Sequence, residues 1–292
     1  ASDVYKRQGD KQMTATIIDG KKLAAEIRKN LAQEITALQA KPVLAVIQVG
    51  ENPASQVYVR NKHKAAEEIG MECRVCRLPE TVNQDVLRDL ILDLNDDFAV
   101  NGIIVQLPLP EKFDTLQILS MIAPHKDVDG FSPYNAGLVQ MNNPAAVIAA
   151  TPKGILELLK SSVGVLEGKH AIIIGRSNIV GRPLADLLLN HHCTVTVAHS
   201  KTTHLPDLCG QADIIVAACG CPQMVKKTWV KPGAAVVDVG INRVEGKLVG
   251  DVDFDDVQEI AGFLTPVPGG VGPMTVAMLL QNTWQAYLKQ NA

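Results

Sequence analysis

The stretch HAIIIGRSNIVGRPLADLLL, from His170 to Leu189, decides the fold. Its opening HAIII reads as a buried strand, Gly175 as a tight turn, and the rest as a helix with Gly181 in its first turn. Such a junction aims backbone N–H groups and the positive end of a helix dipole at an anion, as dinucleotide-binding turns do. The letters are not G-x-G-x-x-G, because Ser177 follows Arg176. Nor are they a P-loop, since the glycines are six apart and no Lys-Ser/Thr pair follows. Read alone, the turn is also consistent with a plain strand–helix junction. The next strand, CTVTVA, sharpens it. A site for NAD places a carboxylate roughly twenty residues on, to hold the ribose 2′-hydroxyl. Here the strand runs into His199, Ser200 and Lys201 instead. Arg176 and Ser200 offer donors suited to a 2′-phosphate, so the pair favours NADP.

Working outward, apolar β-rich runs alternate with helical patterns along the whole chain. PVLAVIQVG, ECRVCRL and NGIIVQL read as strands, with helices beginning near Gly20, Pro53 and Gln84. After the turn-rich NNP at Asn142 and the Thr151-Pro152 pair, HAIIIG, CTVTVA, ADIIVAA and AAVVDVG repeat the pattern. A last helix is expected from Met274 to about Gln290, with Pro273 opening it. This alternation implies an α/β fold of two domains with mostly parallel sheets and a ligand cleft between them.

Bulk properties fit that picture. The 292 residues suffice for two cores, and 47% apolar and 20% charged residues are ordinary globular values. A net charge of −3 gives no reason to expect nucleic acid or an anionic membrane as partner. The longest apolar runs are too short to span a bilayer. Residues 1–12 lack the apolar core of a signal peptide, Met13 looks like the natural start, and the cytoplasm is the expected compartment. Cys73 and Cys76 form a C-x-x-C without a second pair at zinc spacing, so no metal is expected. DVDFDD, from Asp251, opens like a calcium loop but has Asp256 and Gly262 where the loop needs glycine and glutamate.

NPASQVYVRNKHKAAEEIG, Asn52 to Gly70, poses a chemical question. Asn52 caps a helix, Pro53 opens it and Gly70 stops it. Ala54, Tyr58, Ala65 and Ile69 fall on one side, and Lys62 falls on that same stripe. The bland reading is a lysine whose stem lies on apolar surface while its head reaches water. The functional reading is an amine beside Tyr58 in a poorly solvated pocket, where a lowered pKa makes it a base. Tyr-x-x-x-Lys also occurs in short-chain dehydrogenases. There, however, the pair follows the dinucleotide turn, whereas here it precedes it.

Three further stretches point to the same cleft. NGIIVQLPLP is a buried strand whose carboxyl end carries Gln106 before Pro108 cuts it off. KDVDGF sets Asp127 and Asp129 in a tight turn, which either carboxylate is able to cap. PVPGGVGPMT leads into a helix N-terminus, a cradle for substrate or anion or else a capped helix start.

These motifs in this order, YVRNK from Tyr58, VQLPLP from Val105, DVDG from Asp127, GRSNIVGRP from Gly175 and PGGVGPMT from Pro268, resemble one family. It is the bifunctional methylenetetrahydrofolate dehydrogenase/methenyltetrahydrofolate cyclohydrolases, and the likeness runs from Met13 to the end. The resemblance implies a folate-binding catalytic domain (residues 1–150, with 1–12 an extension) and a Rossmann-like NADP domain (151–274). A C-terminal helix (275–292) would return to the first domain, and the protein would be a homodimer. It implies Lys62 as the catalytic lysine, Gln106 bonded near it, Tyr58 stacked on folate and Asp129 on the pterin. Val105, Leu107, Pro268, Gly269, Gly270, Val271 and Gly272 would complete the folate site. Gly175, Arg176, Ser177, Ser200 and Ile241 would bind NADP. One departure is Ala150, where the family pattern expects cysteine. A rival is an NADP-dependent dehydrogenase of an amino acid or shikimate-like acid with a cleft lysine, which leaves Gln106 and Asp129 without roles. A second rival is a non-catalytic NADP-binding regulator.

Overall fold

The computed structural model describes residues 14–292, so the expectations for residues 1–12 and for Met13 lie outside the described residues, as does the side chain of Ala54. In chain order the elements are β1 (Thr16–Ile17), α1 (Gly20–Thr36), β2 (Val43–Val49), α2 (Pro53–Glu68), β3 (Glu72–Leu78), α3 (Gln84–Asp96) and β4 (Gly102–Val105). There follow α4 (Thr115–Ser120), α5 (Pro133–Gln140), α6 (Ala150–Ser162), β5 (His170–Ile174), α7 (Gly181–Asn190), β6 (Thr194–Ala198), α8 (Leu205–Cys209) and β7 (Ile214–Ala217). The chain ends with β8 (Ala235–Asp238), β9 (Asn242–Val244), β10 (Lys247–Val249), α9 (Phe254–Val257), β11 (Phe263–Leu264) and α10 (Val271–Gln290).

Two parallel sheets result. The first runs β3-β2-β4, and the second runs β1-β11-β8-β7-β5-β6. Among the described strands only the β9–β10 hairpin is antiparallel. β2, β4, β7 and β8 are buried along their whole length, so they read as continuous apolar runs rather than alternating ones. Cys73 and Cys76, three apart on β3, project to opposite sides of the sheet and pack into different core clusters.

The strand order of the second sheet reverses between β5 and β7, since β6 lies on one side of β5 and β7 on the other. That switch point opens a crevice at the carboxyl ends of the strands, directly after Gly175. Strand β1 adds to the far edge of this sheet through β11, so the chain crosses to the second layer before α1 begins the first. Helix α10 starts at Val271, three residues earlier than expected, because the glycine-rich loop closes straight into its first turn. It packs on α6 and α1, and it reaches the first sheet through paired hydrogen bonds between Gln290 and Asn101, both 3.0 Å. No helix among the described residues is long and apolar enough to cross a membrane.

Candidate active site

Helix α2 has the expected ends. The Asn52 side chain accepts from the Ser55 N–H at 3.2 Å, and Gly70 takes a φ of +80° just past the last turn. Its buried stripe keeps Lys62, Ala65 and Ile69 as expected, but Val59 stands where Tyr58 was expected. Ser55, Val59, Lys62, Ala66 and Ile69 face inward together with Ala65, whereas Tyr58 is 41% exposed at the stripe's edge. Val59 fills the core position because the ring of Tyr58 lies over the cleft instead. Lys62 stays on the buried side at 8% exposure.

The Lys62 nitrogen lines the cleft. It donates to Gln106 Oε1 at 3.1 Å. Gln106 is held in turn: its Nε2 donates to the Leu107 carbonyl at 2.7 Å and its backbone N–H to Ile47 at 2.8 Å. The amide oxygen is thereby committed to Lys62, and the nitrogen's direction is fixed by a strand end.

The two aspartates of the DVDG turn divide their work. Asp127 accepts from the Ser132 N–H at 2.9 Å, the Phe131 N–H at 3.2 Å and Asn135 Nδ2 at 2.9 Å, so it ties the turn to the start of α5, whose cap is Ser132. Asp129 faces the cleft. Burial pushes its carboxyl up from the usual range, the positive charge of Lys62 draws it back, and the Asp127 carboxylate adds to the rise. Among the described residues no side chain or backbone N–H donates to its carboxylate, which leaves its acceptors for a ligand.

The turn is clamped from two sides that the sequence did not single out. Lys126 is buried and donates to the Leu94, Asn95 and Asp97 carbonyls at 3.1, 2.7 and 2.8 Å, a cation on the C-terminus of α3. Asn282 of α10 donates to the carbonyls of Val128 and Ile148, both at 2.9 Å, tying the turn to the linker between the sheets. Lys153 donates to Asn282 Oδ1 at 2.8 Å, and burial lowers its pKa to about 8.

One cleft of about 290 Å³ gathers Tyr58, Lys62, Val105, Gln106, Leu107, Asp129, Ile241, Val271 and Gly272. It also includes Phe131, Thr151, Val180, Val239 and Thr275, which sequence reasoning did not select. Val239 and Ile241 had a legible signal, since they follow the carboxyl end of β8. Pro268, Gly269 and Gly270 do not line this cavity. Gly269 accepts from the Lys21 N–H at 2.9 Å, and Gly270 closes on Gly20 so tightly that a Cβ there would strike its carbonyl. A wider groove, about 780 Å³, flanks α2 near Arg60, His63 and Arg77 but holds none of these groups.

A second cavity of about 320 Å³ sits at the switch point, with Gly175, Arg176, His199 and Ser200 around it. Its floor is bare backbone. A Cβ on Gly175 would collide with the Ala218 carbonyl, and one on Gly181 with the Gly175 carbonyl. Ser177 uses its hydroxyl to accept from the Val180 N–H at 3.2 Å, closing the turn rather than facing the cavity. The opposite wall is braced by the acidic run. Asp251 accepts from the Cys219 and Gly220 N–H groups at 2.7 and 2.9 Å. Asp238 accepts from the backbone of Gly240, Asp251 and Val252, while burial raises its pKa to about 6.

Family models described as the tetrahydrofolate dehydrogenase/cyclohydrolase catalytic domain and NAD(P)-binding domain match residues 18–129 and 149–291. The chain belongs to the tetrahydrofolate dehydrogenase/cyclohydrolase family. It is 53% identical over 274 residues to the bifunctional protein FolD of Listeria innocua, covering 92% of this chain and 96% of that one. The Campylobacter jejuni bifunctional FolD structure superposes with a TM-score of 0.92 at 49% identity, covering 94% and 99% of the two chains. The Trypanosoma brucei dehydrogenase-cyclohydrolase, solved with NADP and an inhibitor, gives 0.90 at 41%, covering 94% and 98%. A shikimate dehydrogenase at 15% identity and a TM-score of 0.53, covering 86% and 96%, shares the fold alone. The rival reading as a shikimate-like dehydrogenase therefore reduces to common architecture.

Proposed function

We propose that the cleft between the sheets performs both family reactions on one bound folate. The protein is an NADP-dependent methylenetetrahydrofolate dehydrogenase and methenyltetrahydrofolate cyclohydrolase. The observation that carries the site assignment is the Lys62–Gln106 contact, buried in the same cavity as Asp129 and facing the strand ends of the dinucleotide layer. The residues fit the cofactor, because the glycine turn admits a pyrophosphate to bare backbone and Arg176 with Ser200 supplies donors for a 2′-phosphate. Bound NADP supplies the two-electron acceptor that oxidises the one-carbon bridge from methylene to methenyl.

The remaining work belongs to the chain. Asp129 accepts the two parallel N–H donors of the pterin edge, and the Tyr58 ring covers the ring system at the cleft mouth. For hydration of the methenyl carbon, Lys62 takes a proton from the attacking water and then delivers one to the departing ring nitrogen, yielding 10-formyltetrahydrofolate. Gln106 keeps the Lys62 nitrogen aimed, and the apolar walls exclude bulk water.

The test is an absorbance assay with 5,10-methylenetetrahydrofolate and each nicotinamide cofactor, following methenyl formation and decay. Rise and decay are expected with NADP. No methenyl form with either cofactor would end the dehydrogenase reading, and any turnover excludes a purely regulatory binder. Arg176→Ala is expected to raise the KM for NADP by about 10- to 100-fold, the worth of a charge-assisted phosphate contact, with NAD little affected. Equal losses for both would remove Arg176 from the 2′-phosphate. The division at residues 150 and 274, the homodimer and the cytoplasmic setting are part of this proposal. Sedimentation of the purified chain at twice the monomer mass is the expected result for the dimer.

A further inference from the structure

Thr151 opens α6 and Thr275 lies in the first turns of α10, and their hydroxyl oxygens meet at 2.9 Å. The two helices come this close because Gly154 faces Met274, where any Cβ would press on the methionine. Only one arrangement of the two hydroxyl protons fills both this contact and the one to the Val271 carbonyl. Each hydroxyl owns one, and Thr275 Oγ1 donates its own to the Val271 carbonyl at 3.3 Å, which can only accept. The contact between the threonines is therefore filled by the proton of Thr151. Thr151 Oγ1 is left presenting lone pairs, and it lines the cleft beside Val180, Val239 and Ile241. Whatever meets it there must bring a hydrogen of its own.

The polarity of the cofactor follows from the two cavities. Donors for the 2′-phosphate, Arg176 and Ser200, surround the switch-point crevice, so the other end of the dinucleotide extends into the cleft. There the apolar side chains of Val180, Val239 and Ile241 suit a flat ring. The polar edge of the pterin is claimed by Asp129 on the first sheet's side. We infer that Thr151 is a cofactor-orienting residue whose Oγ1 accepts a hydrogen bond from the carboxamide N–H of the nicotinamide. This rests on the cleft assignment made above. Thr275 acts through Thr151, by using up the only proton arrangement that would make Thr151 a donor to the ligand.

The test compares binding of NADP with that of its 3-acetylpyridine analogue, which keeps the carbonyl but has no N–H. Dissociation constants are measured by calorimetry on the wild type, Thr151→Val and Thr151→Ser. The wild type is expected to hold NADP about tenfold more tightly than the analogue, the order of one hydrogen bond. Thr151→Val is expected to bind both ligands equally, and Thr151→Ser to restore the difference. A preference that survives in Thr151→Val overturns the inference. So does a cyclohydrolase loss in Thr151→Val as large as its loss of NADP affinity, because the acceptor would then serve folate. The underlying cleft assignment fails separately, through Lys62→Met retaining full hydration activity.

Discussion

Lys62→Met is expected to lower cyclohydrolase turnover by about 10²- to 10⁴-fold, the contribution of a positioned acid–base group, while folate still binds. Methionine fills the same volume, so the buried stripe of Ser55, Val59, Ala66 and Ile69 keeps its packing. Gln106 Oε1 loses its donor, which costs about 1–3 kcal/mol when the acceptor is buried. Removing a buried amine offsets part of that, since desolvating it was unfavourable. The melting temperature therefore shifts by only a few degrees, and lost activity cannot be charged to unfolding. A companion variant, Lys62→Arg, separates charge from basicity. Guanidinium keeps the positive charge but does not give up its proton in proteins, so it is expected to fail as a base like methionine. Stopped-flow decay of methenyltetrahydrofolate measures both. Wild-type decay in either variant would remove Lys62 from the proton transfer.

The fold was legible wherever burial and turn chemistry agreed. HAIIIG, ADIIVAA and AAVVDVG are short apolar runs bounded by turn signals, and each became a buried parallel strand. What local pattern did not carry was long-range pairing. Thr16 and Ile17 form a strand only because β11 lies beside them, more than two hundred residues away. One position of the α2 stripe, Tyr58, was misassigned for a related reason. Tyr58 is apolar enough to count as core by spacing, yet its ring belongs to the cleft and Val59 takes its place.

The site was legible at strand ends and much less so in loops. Gln106 follows β4 and Gly175 follows β5, so the rule that ligands sit at carboxyl ends located both. Lys62 stood out because a charge on a buried stripe needs a reason. Lys126 and Asn282 gave no such signal, since one sits in a polar turn and the other in an apolar helix; only the folded chain brings them to Val128 and the α3 terminus. Thr151 and Thr275 were invisible for the same reason, being 124 residues apart in sequence. Pro268, Gly269 and Gly270 drew attention as a glycine-rich loop. Gly270 also has a packing reason, since a Cβ there would press on the Pro266 carbonyl and on Thr265.

Asp129→Asn is expected to weaken folate binding by about 10²-fold while raising the melting temperature. The binding loss follows from geometry. A carboxylate accepts two parallel N–H donors, whereas an amide offers one acceptor and sets its own NH₂ against the other donor. Losing one partner of a buried charge-assisted pair costs about 2–5 kcal/mol. The stability gain follows from burial. The pKa of Asp129 is raised in the fold, first by desolvation, so the fold disfavours its ionised form. A carboxyl raised above its unfolded value stabilises the fold while protonated and loses that contribution as pH rises through the folded value. At neutral pH the wild type carries this penalty and the amide does not. A gain in melting temperature is therefore expected for the amide at neutral pH. The same shift predicts that the wild-type KM for folate climbs as pH falls, starting above the range where an exposed aspartate protonates. Thermal melts from acid to neutral pH should show the stability difference between wild type and Asp129→Asn shrinking as the medium is acidified. A variant that lost both folate affinity and thermal stability would mean that Asp129 supports the turn, as Asp127 does, and that the pterin is held elsewhere.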